Sequence, residues 1–309
     1  MYGLYVIYGT EWVNVISKCN NFAWSSDADT LATEFTFDSL LNMEEGTKFA
    51  WKNDTRLIIG GTIIKKTQKK FVNSYTGIDY GWYTNKNKTT IQFNNVSAST
   101  AINQLMQQFN LRKNVCPIAT NINKIYKAQE VSSIIDDILK QATDETGIEY
   151  IKEMIEYTLT ISKLSDMKIA PKLLFGSDIS VDSSIEDMKN KCIIQSNDEN
   201  DNAIYAISKN DDSIARYGLL QEIQTIDSKN QSQAYQIARN FILKNNKISK
   251  TLNLSTKIID NVEGADDIKA NRMINIVLSS FGINDWIRIK SAAHKVNSKG
   301  HTVDLTLDF

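Results

Sequence analysis

Between Met273 and Phe309 apolar and polar residues alternate with period two, and no other feature constrains this chain as tightly. Ile274, Ile276 and Leu278 alternate with Met273, Asn275 and Val277; Ile287 and Ile289 alternate with Arg288 and Lys290; Val303, Leu305, Leu307 and Phe309 alternate with polar residues. Such a period puts every apolar side chain of a run on one face of a strand, so the segment predicts antiparallel strands with one buried face. Asn297-Ser298-Lys299-Gly300 is the turn between the last two.

Strand character also dominates Tyr2 to Phe93. Phe35 and Phe37 flank Thr36, and Arg56 to Ile64 is rich in β-branched residues, with Gly60 and Gly61 at expected bulges or bends. Trp12, Trp24, Trp51 and Trp82 all fall here, as expected for large rings filling the core of a small barrel. The basic run Lys65 to Lys70 reads as a solvated hairpin tip, with phosphate contact as the alternative.

The period changes between Ser97 and Lys163. Ala101, Ile102, Leu105, Met106 and Phe109 share one helical face, with Ser97 or Ser99 as cap. Val131, Ile134, Ile135, Ile138, Leu139 and Ala142 form a second helix that Gly147 ends. Ile148 to Ile151 and Tyr157 to Ile161 then read as paired strands. Asp136 and Asp137 are adjacent on a helix, point in different directions and are expected to face water.

Cys192 to Gln195 and Ala203 to Ile207 predict a hairpin around an acidic loop. Within that loop, Asn197 to Asp201 lacks the glycine and terminal glutamate of a calcium site. Asp211 to Asp227 carries a helix start, a break at Gly218 and a strand after it. Ala234, Ile237, Ala238, Phe241 and Ile242 mark a third amphipathic helix. Segments near 172–208 and 249–309 are therefore read as one β-domain with helical material inserted.

Composition excludes several classes. Lys and Arg number 35 against 36 Asp and Glu, a balance unlike that of proteins that coat nucleic acid or anionic membrane. Cys19, Cys116 and Cys192 are too scattered for a disulfide framework or a zinc site and read as free thiols in a reducing cytoplasm. No stretch approaches a membrane span, and the first residues lack the pattern of a secretory signal. With two prolines and no linker, domains abut directly. Phosphate-loop, nucleophile-elbow and dinucleotide motifs are missing, and His294 and His301 are read as surface residues without a third metal ligand. Neither a catalytic residue nor a metal or cofactor site is assigned.

The order of short signatures carries the functional reading. Trp24-Ser25-Ser26-Asp27 with Leu31-Ala32 and Phe35-Thr36-Phe37, then Gly46 and Leu57 to Ile63, resembles the opening hairpins of the baseplate hub family of contractile phage tails and tail-like bacteriocins, the XkdQ-like group. Ile185 and Met188 lie in a stretch similar to its mid-chain signature. Tyr217, Gly218, Leu220 and Gln221 lie in its most recognisable stretch, and Gly300 in its C-terminal turn.

That resemblance implies an α+β chain with two tail-tube-like antiparallel β-barrels joined by α/β modules. Its domains are 1–96, 97–171 and 172–309, with a helical insert near 211–248. It implies a structural subunit rather than an enzyme: a homotrimer forming a pseudo-sixfold ring that joins tail tube to central spike. Other baseplate proteins and the tape measure protein are further expected partners; membrane and specific nucleic-acid binding are not expected. The protein is expected to assemble in the bacterial cytoplasm and end in the particle. The chain stops just after its last strand, so no fused hydrolase domain is expected; a peptidoglycan hydrolase is the alternative, and a DNA-binding module using Lys65 to Lys70 ranks third.

Overall fold

The structure is a computed structural model that describes residues 1–171, 174–198, 203–258, 264–298 and 300–309, without the side chains of 174–178 and 258. The first segment contains β1 (Tyr2–Tyr8), β2 (Glu11–Asn14), β3 (Cys19–Asp27), β4 (Glu34–Ser39), β5 (Lys48–Asn53), β6 (Arg56–Gln68) and β7 (Asn73–Asp79). The middle holds α1 (Trp82–Lys86), β8 (Lys88–Ser97), α2 (Ala98–Gln108), β9 (Arg112–Val115), β10 (Asn121–Glu130), α3 (Val131–Thr146), β11 (Tyr150–Ile155) and β12 (Thr158–Lys163). After β13 (Lys168–Ile169) and β14 (Leu174–Ser184) come β15 (Lys191–Ser196), β16 (Ile204–Lys209), α4 (Asp211–Tyr217), β17 (Gln221–Ile226) and α5 (Ala234–Asn245). The chain finishes with β18 (Ser249–Ile258), β19 (Met273–Leu278), β20 (Ile283–Asn297) and β21 (Gly300–Asp308).

Strand patterning at the two ends produces one continuous sheet. Its path is β14-β18-β21-β20-β3-β4-β7-β6-β5-β1-β2, with β13 and β19 branching from β20. The two β segments meet where β20 pairs with β3, His294 opposite Trp24 and Ala293 opposite Ser25. Among the described residues this path does not close on itself and no closed barrel is seen; the path ends at β2 and β14 and its branch at β13. Alternation fixes the buried face as predicted: Ile274, Ile276, Ile287, Ile289, Val303, Leu305 and Leu307 form one core. Leu4, Phe35, Phe37, Phe49, Trp51 and Tyr75 belong to the core of the first segment. Only Trp24 and Trp51 of its four tryptophans are buried; Trp12 stands exposed on the edge strand β2.

Gly60 and Gly61 do not make the bulges. Both are paired in register, opposite Ala50 and Phe49, and the irregularities fall elsewhere on β6. Close approach is the reason they are glycines: a Cβ at Gly60 would lie 2.8 Å from the Tyr157 ring, and one at Gly61 would strike the Ile78 backbone.

The two middle helices form as their sequences predict. Ser97 accepts a hydrogen bond from Thr100 N at the start of α2, and α3 ends on left-handed Gly147, φ 73°. Their apolar faces share a core with Phe93 and Tyr126 from β8 and β10. Strand β8 pairs with β10 and not with the large sheet. Asp136 and Asp137 do diverge, but they are not both free in water. Asp136 pairs with buried Lys152, while half-buried Asp137 accepts from Tyr126 Oη at 2.6 Å and from Lys124 and Gln141.

Strands β15 and β16 pair with each other, and β15 runs parallel to β17, making a three-stranded sheet separate from the large one. Helix α5 covers one face of it through Ala234, Ile237, Ala238 and Ile242 against Cys192 and Ile194. The loop around Asn197 to Asp201, and the turn residue Lys299, reach outside the described residues.

Candidate functional site

The family-like signature residues gather in two places, a seam between the β segments and a clamp inside the insert. At the seam, alternation on β3 and β20 turns Trp24 and His294 to the same face. Their rings stack with centroids 4.5 Å apart and planes 7° from parallel. His294 is 2 % and His301 4 % exposed, so both histidines are buried rather than at the surface. His294 Nε2 lies 2.7 Å from the Ile268 carbonyl, which only accepts, so Nε2 carries the proton. Its Nδ1 then accepts from His301 Nε2 at 2.9 Å. Burial first, then the neighbouring His301, pushes the His294 pKa down to about 3 and keeps the ring neutral.

Other contacts tie this seam together. Tyr2 Oη lies 3.0 Å from Asp266 Oδ1 and 3.3 Å from His301 Nδ1, while its ring stacks on Trp51. Asn53 Nδ2 donates to Asp266, Arg56 pairs with Asp267, and Ala270 N donates to Ser26 Oγ. Asp27 ends β3 opposite Ser291, and Phe35 lies behind Trp24 in the β3–β4 ladder. Gly300 starts β21 at φ 116°, one residue before His301.

Nearby, β11 places Glu153 between two cations. Arg272 Nη2 reaches both its carboxylate oxygens at 2.9 Å and Lys269 Nζ lies 2.6 Å away. Glu153 and Arg272 are both buried, so the charge-assisted hydrogen bonds from the one Nη2 to both carboxylate oxygens supply the compensation a buried charge requires. Buried Asp79 accepts from Thr33 N and Gly81 N, yet desolvation still raises its pKa to about 6.

Inside the insert the clamp is built on Asn190, which is wholly buried. Its Nδ2 donates to the Gly218 carbonyl at 2.7 Å and its Oδ1 accepts from Leu220 N at 2.8 Å. The backbone repeats the pattern: Asn190 N donates to Leu220 O, and Asn210 N to Asn190 O. Asn210 in turn caps α4 at Ser213 N, and Ser213 Oγ touches buried Met188 and Asn246. Thus Met188, Gly218 and Leu220 belong to one knot; Tyr217 ends α4 and Gln221 starts β17 on either side of it, and Ile185 is exposed. Gly218, φ 81°, makes the sharp exit from α4. Asn190 lies in the stretch similar to the mid-chain signature, but its role is not legible there, because a clamp across 28 positions leaves no local pattern.

This arrangement offers fixed joints rather than reactive groups. Both His294 nitrogens are engaged and buried. Desolvation raises the pKa of all three thiols, Cys192 to about 11, so none is an activated thiolate. Among the described residues no group of three or more His, Cys, Asp or Glu can hold a metal, and no helix is long and apolar enough to cross a membrane.

Comparison with known proteins adds the family context. A family model described as YQBQ-like matches residues 22–308. The chain is 24 % identical over 324 aligned residues to the uncharacterized protein YqbQ of Bacillus subtilis (strain 168), covering 99 % of this chain and 96 % of that one. Among solved structures it is similar to the 43 kDa tail protein of prophage MuSo2 from Shewanella oneidensis, at TM-score 0.71, 10 % identity and coverage of 99 % and 98 %. The tail protein of Neisseria meningitidis MC58 follows at TM-score 0.69, 11 % identity and coverage of 100 % and 96 %. The E. coli c3393 protein, a type VI secretion component described as similar to T4 tail proteins gp27 and gp5, gives TM-score 0.55 at 7 % identity, covering 94 % and 73 %. At these identities the likeness is one of fold.

Proposed function

The chain belongs to the YQBQ-like family, and on that premise we propose that it is a baseplate hub subunit, three copies of which form a pseudo-sixfold ring joining tail tube to central spike. The carrying observation is the open sheet. Two β segments whose strands pair through β3 and β20 leave, among the described residues, edges at β2 and β14. Edge strand β2 is exposed along its whole length, yet carries Trp12 and Val13. An apolar edge of that kind is an aggregation hazard unless another strand covers it. Two unlike edges on one chain make a heterologous contact, which closes into a ring when the rotation between copies allows.

Three copies each supplying two β segments give six around the axis. The first β segment, the middle unit and the second β segment with its insert serve as domains in this reading. Tail tube, spike, other baseplate proteins and the tape measure protein are the partners, and the particle is the destination. Joints without a reactive centre suit a structural subunit. Negative-stain microscopy of the purified, concentrated chain, alone and with its tube and spike proteins, tests this. Threefold rings with a central opening are the expected result; isolated globules under every condition would overturn it.

A further inference from the structure

Strand β6 runs on past β5 on its outer side, while on the other side β4 accompanies β7 to the last pair of the β6–β7 hairpin. Its partner on one side, β5, ends at the Lys48–Thr62 pair, while β6 and β7 continue to Gln68 opposite Asn73. Beyond that last pair lie Lys69, Lys70 and Phe71, closed by Lys69 N donating to the Val72 carbonyl. Phe71 is 79 % exposed, the Lys70 ammonium rests 5.1 Å from its ring centroid, and Leu40, 67 % exposed, stands at the same end of the sheet, where Ser39 pairs with Asn73.

Charge at this tip is unbalanced. Among the described residues Lys65, Lys66, Lys69 and Lys70 form no ion pair, although twelve such pairs occur elsewhere. Lys66 donates to the neutral Asn42 side chain. Asp38, whose carboxylate feels Lys69, already accepts from Asn21 and Ser74. Glu44 and Glu45 occupy the turn near Ile63, below the tip.

Lysines on an open strand edge often serve only to block unwanted pairing, which accounts for Lys65 and Lys66. Lys69 and Lys70 lie beyond the ladder and guard no edge, and a solubilising tip has no use for a bare phenylalanine. We propose that this hairpin tip is a docking finger for another protein of the particle, whose surface presents an apolar pocket rimmed by carboxylates. Phe71 and Leu40 gain by leaving water for the pocket, and the lysines meet the rim. Nucleic acid fits less well: a phosphate backbone calls for cations in a row, whereas these surround an apolar point. That the partner belongs to the particle rests on the assembly role proposed above.

The test places p-benzoyl-L-phenylalanine at Phe71 in cells making the whole particle, followed by irradiation and mass spectrometry of the adducts. The expected adduct is a peptide of another chain in which Asp and Glu outnumber Lys and Arg. Its yield should fall by about tenfold or more in the Lys69→Glu, Lys70→Glu background, the direction set by turning attraction into repulsion. Adducts confined to the chain itself, nucleic-acid adducts, or a yield indifferent to charge reversal would each overturn the proposal. Ring formation is scored by microscopy on the same samples. Rings without the adduct remove the finger and leave the hub reading; the acidic adduct without rings does the reverse.

Discussion

Trp24 lies flat against His294, ring on ring, across the β3–β20 ladder that joins the first β segment to the last. One pair therefore serves both as core packing and as the joint between segments. Trp24→Ala is expected to destabilise the chain by about 3–5 kcal/mol, as large-to-small changes in a packed core do, and Trp24→Phe by clearly less. Urea unfolding followed by circular dichroism checks this; a Trp24→Ala chain with an unchanged midpoint would show that the joint carries no load.

His294 and Asp79 make opposite contributions to pH dependence. The pKa of folded His294, about 3, lies below its ordinary 6.5, so between those values the unfolded chain binds the extra proton and stability rises with pH. That of folded Asp79, about 6, lies above its ordinary 3.8, so there the folded chain binds the proton and stability falls as pH rises. Between about pH 4 and 6 the two slopes, each about 1.4 kcal/mol per pH unit at most, oppose one another. Asp79→Asn should leave stability rising with pH across that window, and His294→Gln should leave it falling. Thermal melts at a series of pH values decide; two variants with the same slope would refute the assignment.

Asn190 holds Gly218 and Leu220 with one carboxamide that both donates and accepts. Asn190→Ala removes the partner of the Gly218 carbonyl and of the Leu220 amide, at about 0.5–1.5 kcal/mol for each hydrogen bond lost, since exposed Gly218 and half-buried Leu220 can turn to water. Asn190→Asp should not rescue it, because a carboxylate accepts from Leu220 N but faces the Gly218 carbonyl with a second acceptor. Hydrogen exchange at the Leu220 amide is expected to speed up in both variants. Protection unchanged in Asn190→Asp would mean the donated bond is dispensable.

These cases show where the sequence is readable. Helices α2 and α3 are legible because cap, periodicity and terminal glycine agree within one stretch. The strands at the chain end are legible for the same reason, but the burial of His294 is not. A bulge between Ile289 and Ser291 shifts the parity of β20, so Ile287 and Ile289 share their face with Ala292 and His294. Extending the alternation straight through Lys290 turns His294 outward. For His301 the surface reading fails against the alternation itself, because the residue is in phase with Val303 and Leu305 and is buried with them. Asn190 and Glu153 act through partners far along the chain, and no local period reports such partners.

Among the described residues Glu153 is the carboxylate that pairs with both Arg272 and Lys269, in the middle unit's contact with the segment before β19. Glu153→Ala strands two cations and is expected to cost about 3–5 kcal/mol. Pairing it with Arg272→Met should recover part of that loss, since the more deeply buried cation is then gone as well. A double-mutant cycle by urea unfolding measures the coupling, and additive effects would show that the ion pair is not the link.

Gly60 and Gly61 are neighbours whose substitutions should behave differently. The obstacle at Gly60 is the side chain of Tyr157, 2.8 Å from where a Cβ would stand, so Gly60→Ala forces that ring aside at about 1–3 kcal/mol. Tyr157→Ala in the same chain should relieve the overlap, leaving the double variant little less stable than Tyr157→Ala alone. At Gly61 the obstacle is the Ile78 backbone in the adjoining strand β7, which no side-chain truncation removes. Gly61→Ala must therefore push β6 and β7 apart, and is expected to lower the melting temperature further than Gly60→Ala, whether or not Tyr157 is present. Equal tolerance at the two positions would mean that β6 and β7 do not approach as closely as the structure has them.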